Sequence, residues 1–478
     1  MDPRTKIVAT LGPASDAPPV LDELLRAGVD VVRLNLSHGT LESHIERLHA
    51  VRAAAERVGR VVAVLADLPG PKVRAGQYPE GGVELSAGAS LRLVPGDAPS
   101  TAERLVVDYP TLIEDLRVGD RIVLGDGAIS LRVSALHDDH GVCVVVAGGM
   151  VHGRPGVHLP SERLRLSTPT SDDLRLGAAM AAAGADFLAV SFVRSASDLR
   201  AMRDALAPLA VRLVAKIETM TAVGDLADII IESDAVMVAR GDLGIECPLE
   251  DVPHLQKRIV RQCVEAGLPV ITATQMMESM ITSPSPTRAE VSDIANAVFD
   301  GTDALMLSAE TAIGADPAEV VRYMSRIAAR AEVEASYRQW AVRLGRVQRL
   351  SWPEGPHRIT LAITHAASLA AEDAGVDAIV CCTRSGRTAL AMARFRPQAQ
   401  LIAVSNDPEV VRALAMSWGV RSLPIDRFGT TDELVWHAVE RVVQEGLVSH
   451  GQTVLVLAGA PDRPSGAATD VLRIVRIS

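Results

Sequence analysis

Charged and polar residues follow closely on several short apolar runs of this chain, and their types suit one kind of chemistry. Glu218 and Asp242 come after neighbouring runs, and two carboxylates together with substrate oxygens and water suit Mg²⁺. Lys216 lies two residues before Glu218, so in an extended segment both side chains point the same way. An ammonium group beside a Mg²⁺ site suits a phosphoryl group or a developing enolate oxygen, and Arg33 offers a planar fork for phosphate. The alternative is a plain Lys216–Glu218 salt bridge.

Lysine is scarce in this chain. Of the 48 basic residues only four are lysines, namely Lys6, Lys72, Lys216 and Lys257. Because arginine supplies positive charge almost everywhere else, a remaining lysine indicates that a compact ammonium group is needed at its position. The scarcity counts against a plain salt bridge at Lys216, whereas chance retention is the simpler interpretation of Lys257.

Eight short apolar runs alternate with segments of helical periodicity over the first 310 or so residues. The runs are Thr5–Thr10, Val29–Leu34, Val61–Ala66, Ala185–Ser191, Val211–Ile217, Ala235–Ala239, Pro269–Ala273 and Asp303–Leu307. Most are continuously apolar, which is typical of parallel strands covered on both faces. The alternation predicts an α/β fold built on a (β/α)8 barrel.

In such barrels the chemistry lies at the C-terminal ends of the strands. Polar residues follow six of the eight runs: Arg33, Asn35, Ser37 and His38; Asp67; Lys216 and Glu218; Arg240, Gly241 and Asp242; Thr274 and Gln275; Ser308 and Glu310. At any one strand end a polar residue can simply cap the strand. Six ends together predict a single functional site at the barrel mouth, because charge is costly within buried strands.

Two further units interrupt and follow the barrel. Residues 73–166 contain short strand-like runs (Val83–Leu85, Leu91–Leu93, Arg121–Leu124, Val142–Val146) and predict a small all-β domain, inserted as a lid over the barrel mouth. Residues 346–478 predict an open α/β domain with strands at Ile359–Thr364, Ala378–Cys382, Leu401–Ser405 and Val454–Ala458. The barrel then comprises residues 1–72 and 167–345.

Composition excludes several classes of protein. The net charge of -11 and an aromatic content of 3% count against non-specific binding to nucleic acid or to an anionic membrane. The N-terminus has no signal-peptide pattern, and no apolar stretch is long enough to span a bilayer. The five cysteines form no C-x-x-C pair, and an odd number suits a reduced cytosol, so we expect a cytoplasmic protein.

Several stretches of this sequence resemble those of a known family, the pyruvate kinases, and the resemblance covers nearly the full chain. The matching stretches are Thr5–Ser15, Arg33–Gly39, Lys216–Glu218, Met237–Gly244, Ala273–Met280, and Pro286–Val291 continuing through Leu307–Thr311. They are long, ordered and in register. The resemblance implies Mg²⁺- or Mn²⁺-dependent phosphoryl transfer from phosphoenolpyruvate to ADP, giving pyruvate and ATP in the last step of glycolysis. It also implies a homotetramer.

The resemblance implies a role for each matching residue. Lys216 looks like the lysine that stabilises charge during transfer and on the enolate, and Glu218 and Asp242 look like the metal ligands. The implied phosphoenolpyruvate contacts are Arg33, Lys216, Thr274 and the backbone of Gly241 and Asp242. The implied nucleotide side comprises Asn35, Leu36, Ser37, His38 and Arg74. Ser308 and Glu310, with Thr274, resemble a relay for the proton that converts enolpyruvate to pyruvate.

One departure from the family concerns K⁺. Many members need K⁺, held at positions that match Asn35, Ser37, Asp67 and Leu68, and the last of these offers only a backbone carbonyl here. Gly70-Pro71-Lys72 replaces the Gly-Pro-Glu of K⁺-requiring members. We hypothesise that the Lys72 ammonium group supplies the charge that K⁺ supplies elsewhere, so that K⁺ is not required. The alternative is a surface lysine near the lid hinge.

Two more features bear on ligands. Asp172 stands where the family usually has a nucleotide-contacting lysine, which makes the nucleotide preference uncertain, and Arg163 and Arg165 are candidates to replace that lysine. In the C-terminal region, Thr383, Arg384, Ser385, Gly386, Arg387 and Thr388 directly follow a predicted strand. A hydroxyl- and glycine-rich turn that opens a helix suits phosphate, and it resembles the family's loop for a sugar-phosphate or nucleotide effector. An ordinary turn with a capping hydroxyl is the alternative.

Two other functions compete with the kinase. A catalytically silent sensor of phosphoenolpyruvate or a sugar phosphate is favoured only by Asp172, and the presence of Lys216, Glu218, Asp242 and Thr274 counts against it. A Mg²⁺-dependent enolate lyase on the same barrel would need neither ADP nor the inserted β domain. The sequence itself defines neither the effector nor a subunit interface.

Overall fold

The computed structural model describes residues 3–125, 127, 129–160, 163–335, 337, 340–344, 356–460 and 468–478. The chain begins with three strands, β1 (Lys6–Thr10), β2 (Val31–Asn35) and β3 (Ala63–Asp67), separated by helices α1 (Pro18–Ala27) and α2 (Leu41–Val58). Helix α1 buries Leu21, Leu24 and Leu25, whose spacing forms one apolar face. Helix α2 starts with a capping box at Thr40 and ends at Gly59 in the left-handed conformation. These signals fix where each helix begins and ends.

A β-rich insert follows β3. Its strands are β4 (Val83–Leu85), β5 (Ser90–Pro95), β6 (Arg104–Val107), β7 (Arg121–Leu124), β8 (Ile129–Leu136), β9 (Gly141–Ala147), β10 (Gly149–Val151) and β11 (Val157–His158), with helix α3 (Leu112–Asp115) before β7. Six strands form a sheet in the order β11-β7-β8-β9-β5-β6, and β10 pairs with β4. The four strand-like runs of the sequence coincide with β4, β5, β7 and β9. The others were missed: β6, β10 and β11 are only two to four residues long, whereas β8 is a full strand of eight residues.

The chain then returns to complete the barrel. The remaining barrel strands are β12 (Phe187–Val190), β13 (Arg212–Ile217), β14 (Ala235–Ala239), β15 (Val270–Ala273) and β16 (Ala304–Leu307). The helices between and after them are α4 (Ser171–Ala182), α5 (Ala196–Leu206), α6 (Met220–Gly224), α7 (Leu226–Glu232), α8 (Arg240–Glu246), α9 (Val252–Ala266), α10 (Arg288–Asp300), α11 (Ala309–Ala312) and α12 (Pro317–Glu334), with 3₁₀ turns at Leu249–Asp251 and Glu278–Ile281. The eight strands close in the order β1-β16-β15-β14-β13-β12-β3-β2. The predicted (β/α)8 barrel is confirmed, and each strand end either matches the prediction or differs from it by one or two residues.

The barrel strands are buried on both faces, which explains their continuous apolar sequences. Val8, Val31 and Leu65 pack together in the barrel interior. Their neighbours Ile7 and Val32 join the cluster that includes the core residues of the surrounding helices. With hydrophobic residues needed on both sides, polar side chains are left for the strand ends.

A separate C-terminal α/β domain follows, as predicted. It contains α13 (Pro356–Asp373), β17 (Ala378–Cys382), α14 (Arg387–Ala393), β18 (Gln400–Ser405), α15 (Pro408–Ala413), a 3₁₀ turn at Leu414–Met416, β19 (Val420–Pro424), α16 (Thr431–Gln444), β20 (Thr453–Ala458) and β21 (Val471–Arg476). The sheet order is β19-β18-β17-β20-β21, with only β21 antiparallel. The predicted domain boundary at residues 345–346 lies outside the described residues, and the boundaries at 72–73 and 166–167 stay predictions.

The strand predicted at Ile359–Thr364 is wrong, because this segment lies within helix α13. Its β-branched residues pair four apart, as Ile359 with Ile363 and Thr360 with Thr364, which is also a helical spacing. The alanine-rich continuation to Asp373 favours a helix, and propensity summed over the longer segment outweighs the short β-branched run.

The structure bears on two expectations from the sequence, the lack of a membrane-spanning segment and the packing role of the cysteines. Among the described residues, no helix combines the length and apolar character needed to cross a bilayer. All five cysteines are free and buried, and burial raises the pKa of Cys143 and of Cys382 to about 12. Such thiols are poor nucleophiles, so a packing role fits them better than a chemical one.

Candidate active site

The ammonium group of Lys216 lies at the centre of the barrel mouth. Its Nζ is 2.9 Å from Glu218 Oε1 and 3.2 Å from Asp67 Oδ1, and it donates a hydrogen bond of 2.7 Å to Ser191 Oγ. Burial lowers the pKa of Lys216, but the charges of Asp67 and Glu218 outweigh burial and the net effect is a raised pKa. The group therefore stays positively charged throughout the neutral range.

Arg33 shares the same buried aspartate. Its Nε donates to Asp67 Oδ2 at 2.7 Å and its Nη1 to Thr10 Oγ1 at 3.0 Å. Burial raises the pKa of Asp67, but Lys216 and Arg33 outweigh this and hold it below its usual value. One carboxylate on β3 thus holds two cationic groups, from β2 and β13, side by side. Paired cations in a pocket suit an anion such as a phosphoryl group.

Glu218 and Asp242 supply carboxylates next to this pair. Glu218 is buried; its Oε2 accepts from the Phe192 backbone N–H at 2.5 Å, while Oε1 touches Lys216 without a well-aligned hydrogen bond. Burial, together with the charge of Asp242, raises the pKa of Glu218 to about 7. A buried carboxylate with an unsatisfied oxygen beside a second carboxylate fits a divalent cation. Mg²⁺ usually has one or two carboxylate ligands completed by substrate oxygens and water, and these two carboxylates suit it. Among the described residues, no group of three or more acidic, histidine or cysteine side chains is placed to hold a metal ion.

The loop after β15 has a strained backbone. Thr274 and Gln275 have φ angles of 69° and 54°, although a β-branched residue such as threonine strongly disfavours positive φ. Strain of this kind costs about 1–3 kcal/mol and is typical of functional sites. The Gly241 backbone N–H donates to Thr274 Oγ1 at 2.9 Å, and this hydroxyl donates to the Ala273 carbonyl at 2.7 Å.

Ser308 and Glu310 follow β16. Glu310 is buried, and its two oxygens accept hydrogen bonds from the backbone N–H groups of Ser308 (2.7 Å) and Met277 (3.2 Å). Glu310 therefore ties the β16 loop to the loop of Thr274. The geometry favours a positioning role for this carboxylate over a direct part in proton transfer.

A cavity of about 260 Å³ lies between the barrel mouth and the β-rich insert. Residues of both units line it, among them Lys72, Arg74, His158, Arg194, Thr219 and Asp242. Lys72 reaches solvent, yet partial burial and the charges of Arg74 and Lys216 lower its pKa, while Asp67 and Asp242 act in the opposite direction. Lys72 therefore belongs to the electrostatic environment of the site.

At three of the four positions implied for K⁺, the oxygen already contacts a protein group. Asn35 Oδ1 accepts from the Ser37 backbone N–H at 3.2 Å, and the Leu68 carbonyl accepts from Ser191 Oγ at 2.7 Å. Both oxygens of Asp67 hold cationic side chains, as described above. Next to this set, the Leu36 N–H donates to the Asp67 carbonyl at 3.0 Å. His38 lies within electrostatic range of Lys72, Arg74 and Arg33. Burial is the largest cause that lowers the pKa of His38, and these three charges lower it further.

Three residues discussed for the nucleotide lie apart from this cluster. Asp172 is exposed and pairs with Arg175 of its own helix at 2.6 Å. Arg163 forms an ion pair with Asp120, and Arg165 lies 3.0 Å from Asp115 and 2.9 Å from Glu114. The structure thus turns Arg163 and Arg165 towards acidic residues of the insert, and their replacement of the family's lysine stays a prediction.

The predicted effector loop lies in the C-terminal domain, after β17. A cavity of about 210 Å³ is lined by Thr383, Arg384, Ser385, Arg387 and Thr388. Gly386 adopts φ 84° and donates its N–H to Thr383 Oγ1 at 2.9 Å, so the turn is held by its own hydroxyl. The same cavity also contains Ser405, Asn406 and Thr469 at neighbouring strand ends.

Sequence profiles of the pyruvate kinase barrel domain and of the pyruvate kinase alpha/beta domain match residues 2–321 and 361–475. The chain belongs to the pyruvate kinase family. The pyruvate kinase of Geobacillus stearothermophilus is 42% identical over 483 residues, covering 100% of this chain and 81% of that protein. That of Staphylococcus aureus strain USA300 is 38% identical over 480 residues, covering 98% of this chain and 80% of that protein.

A solved structure gives the same answer for the fold. The crystal structure of a pyruvate kinase from Cryptosporidium parvum matches with a TM-score of 0.92 at 33% identity, covering 100% of this chain and 96% of that chain. The family, the α/β barrel architecture and the enzyme class, a phosphotransferase, were all predicted from the sequence and are confirmed.

Sequence reasoning missed Ser191 and assigned no role to Arg240. Ser191 directly follows β12 and bridges Lys216 to the Leu68 carbonyl. The rule applied to the other strand ends would have found it, because a hydroxyl ends this apolar run as well. Arg240 was noted after the sixth strand, but its partners come from other elements and leave no local signal.

Proposed function

We propose that the barrel mouth transfers a phosphoryl group from phosphoenolpyruvate to ADP. The observation that carries this proposal is the placement of Arg33 and Lys216 on the two oxygens of Asp67, next to Glu218. The two cations bind the phosphoryl oxygens and neutralise charge that develops as the group leaves. Lys216 then stabilises the enolate oxygen of the product. Phosphoryl transfer needs such positioning and neutralisation more than a covalent partner.

Glu218 and Asp242 would hold the divalent metal, Mg²⁺ or Mn²⁺. When bound, the metal supplies further charge neutralisation at the phosphoryl and enolate oxygens. The Phe192 N–H and Lys216 orient Glu218 for this task. The backbone of Gly241 and Asp242 at the start of α8 contacts phosphoenolpyruvate in this proposal.

Enolpyruvate must gain a proton to become pyruvate. We assign the last donor to the hydroxyl of Thr274, with Ser308 as the next polar group of the relay. The Gly241 N–H and the Ala273 carbonyl hold the Thr274 oxygen in place, and its O–H turns from that carbonyl to enolpyruvate when it donates the proton. Glu310 supports the relay by fixing the backbone of both loops.

The cavity between the barrel and the insert takes the nucleotide in this proposal. Arg74 and Lys72 line it, and Asn35, Leu36, Ser37 and His38 lie next to the Asp67 end of the site. An insert that covers this cavity would exclude water and so suppress hydrolysis of the phosphoryl donor.

Lys72 would replace K⁺. The supporting observation is that the Asp67 oxygens and the Leu68 carbonyl are engaged by protein groups while Lys72 lies within electrostatic range of Asp67. A fixed ammonium group supplies the positive charge without a bound monovalent ion.

The wider biology belongs to the same proposal. The loop Thr383–Thr388 would bind a sugar-phosphate or nucleotide effector, the assembly would be a homotetramer, and the enzyme would act in cytoplasmic glycolysis. Family resemblance supports these assignments, together with the cavity at the loop.

The test is pyruvate formation by the purified protein from phosphoenolpyruvate, ADP and Mg²⁺, with Na⁺ or K⁺ as the sole monovalent cation. We expect equal rates of pyruvate formation in Na⁺ and in K⁺, and no pyruvate when Mg²⁺ is omitted. Activity only in K⁺ would keep the kinase and refute the role of Lys72. If the folded protein forms no pyruvate with any of several nucleotides and added sugar phosphates, the result would favour the silent sensor. Pyruvate formed without ADP would mean that water accepts the phosphoryl group, and this would refute the transfer to ADP.

A further inference from the structure

We propose that Arg240 is a positioning residue, which holds the strained backbone of Thr274 so that its hydroxyl faces the reacting enolate. The proposal rests on the function proposed for this site, and it adds a residue to which that function assigns no task. Arg240 begins α8, two residues before Asp242. Its side chain is 9% exposed and turns away from α8 towards the loop after β15.

The guanidinium group binds consecutive carbonyls of that loop. Its Nε donates to the Ala273 carbonyl at 3.1 Å and its Nη2 to the Thr274 carbonyl at 2.5 Å, with a weaker contact of 3.5 Å to the Gln275 carbonyl. These are the carbonyls that flank the two left-handed residues. A single planar group that binds them together opposes relaxation of the strained turn.

The guanidinium itself is fixed from the other side. Its Nη1 lies 2.9 Å and 2.7 Å from the two oxygens of Asp293, and 3.3 Å from Gln256 Oε1. Asp293 belongs to α10 and Gln256 to α9. Arg240 therefore connects the helices outside the barrel to the loop that carries Thr274.

The opposite end of the loop is held by Glu310 through the Met277 N–H. With both ends of the loop fixed, Thr274 Oγ1 is held where it accepts a hydrogen bond from the Gly241 N–H. A lysine at position 240 would keep the charge, but its single nitrogen cannot span three carbonyls and Asp293.

The test is a double-mutant cycle on kcat with Arg240→Lys and Thr274→Ala. Arg240→Lys alone is expected to lower kcat by about 10²-fold, because a displacement of about 1 Å at a reacting group costs that much. In the Thr274→Ala background the same change should alter kcat by less than about threefold, because the hydroxyl it positions is gone. The KM for phosphoenolpyruvate should change less than kcat, since Arg33 and Lys216 still bind the phosphoryl group.

Arg261→Lys on α9 is the matched control, because Arg261 is exposed, and it should keep wild-type kcat. Equal losses in both Thr274 backgrounds, or a near wild-type kcat for Arg240→Lys, would overturn the proposal. An inactive wild-type protein would instead refute the proposed function. If Arg240→Lys does not fold, Asp293→Asn replaces it in the same cycle, because it removes the charge that fixes Arg240. We again expect kcat to fall when Thr274 is present and to stay nearly constant in the Thr274→Ala protein. An equal loss of kcat in both would refute the proposal.

Discussion

At the scale of single residues, the charge of the site converges on Lys216. Replacement by methionine keeps much of the side-chain volume and removes the ammonium group that neutralises developing charge. We expect Lys216→Met to lower kcat by about 10²–10³-fold, the range found when a single preorganised donor to developing charge is removed. Steady-state kinetics with phosphoenolpyruvate, ADP and Mg²⁺ measure this. Lys257→Met, which replaces an exposed lysine paired with Asp300, should keep a kcat close to that of the wild type. A Lys216→Met enzyme within tenfold of wild type would remove this residue from the mechanism.

Lys72 allows a prediction about ion dependence at the same scale. Lys72→Glu places a carboxylate near Asp67 and Asp242 in place of an ammonium group, which creates the negative site that a monovalent cation would fill. We expect the variant to be nearly inactive in Na⁺ and to recover in K⁺, as measured by rates at equal ionic strength. Lys72→Met removes the charge without supplying a carboxylate and should respond to neither ion. If K⁺ does not raise the activity of Lys72→Glu, the hypothesis that Lys72 replaces K⁺ is wrong.

At the scale of elements, the segment that leaves β3 for the insert depends on a glycine. Gly70 has φ 67°, and a Cβ there would lie 2.8 Å from Ser191 Cβ and 2.9 Å from Phe192 Cδ2. Ser191 orients Lys216, so a shift of this residue reaches the site directly. We expect Gly70→Ala to lower kcat by at least about tenfold, in addition to the strain of about 1–2 kcal/mol that a left-handed alanine costs.

Gly59 provides the matched control for that change. It has φ 70° at the end of α2, and a Cβ there would meet no atom within 4 Å. Gly59→Ala should therefore lose a similar free energy of unfolding from strain alone while kcat is retained. The comparison needs only kinetics and thermal unfolding of both variants. Equal kcat for the two variants would mean that this segment does not position the site.

At the scale of elements, the sequence predicts the barrel strands and the charged residues at their ends, but not the contacts between distant segments. Strand β13 and its neighbours are continuously apolar because both faces are buried, so Lys216 and Glu218 at their ends stand out without a structure. Ser191 and Arg240 depend on contacts between residues 16 to 123 positions apart, which no local pattern in the sequence indicates. Helix α13 was mistaken for a strand because a short β-branched run satisfies both periodicities.

At the scale of the whole molecule, the C-terminal domain packs against the N-terminal end of the barrel, opposite the site. Met416 is buried among the barrel-interior residues. Arg412 lies 2.7 Å from Asp186, just before β12, and the buried Arg396 lies 3.1 Å from Asp303, just before β16. In barrels of this kind, contacts at this end serve stability.

Arg396 should therefore matter for the coupling of the two domains. Its Nη2 also donates to the Gly301 carbonyl at 2.6 Å, and Asp303 accepts from the Trp418 N–H at 3.1 Å. Arg396→Met leaves Asp303 buried without its guanidinium partner, which costs about 3–5 kcal/mol for such pairs. Because the contact joins two cores, calorimetry should show a lower unfolding temperature and two separated transitions where the wild type has one. Arg326→Met, at an exposed pair with Glu319, should leave the transition unchanged. A single unshifted transition for Arg396→Met would show that the other contacts, the apolar one around Met416 and the Arg412–Asp186 pair, couple the domains without it.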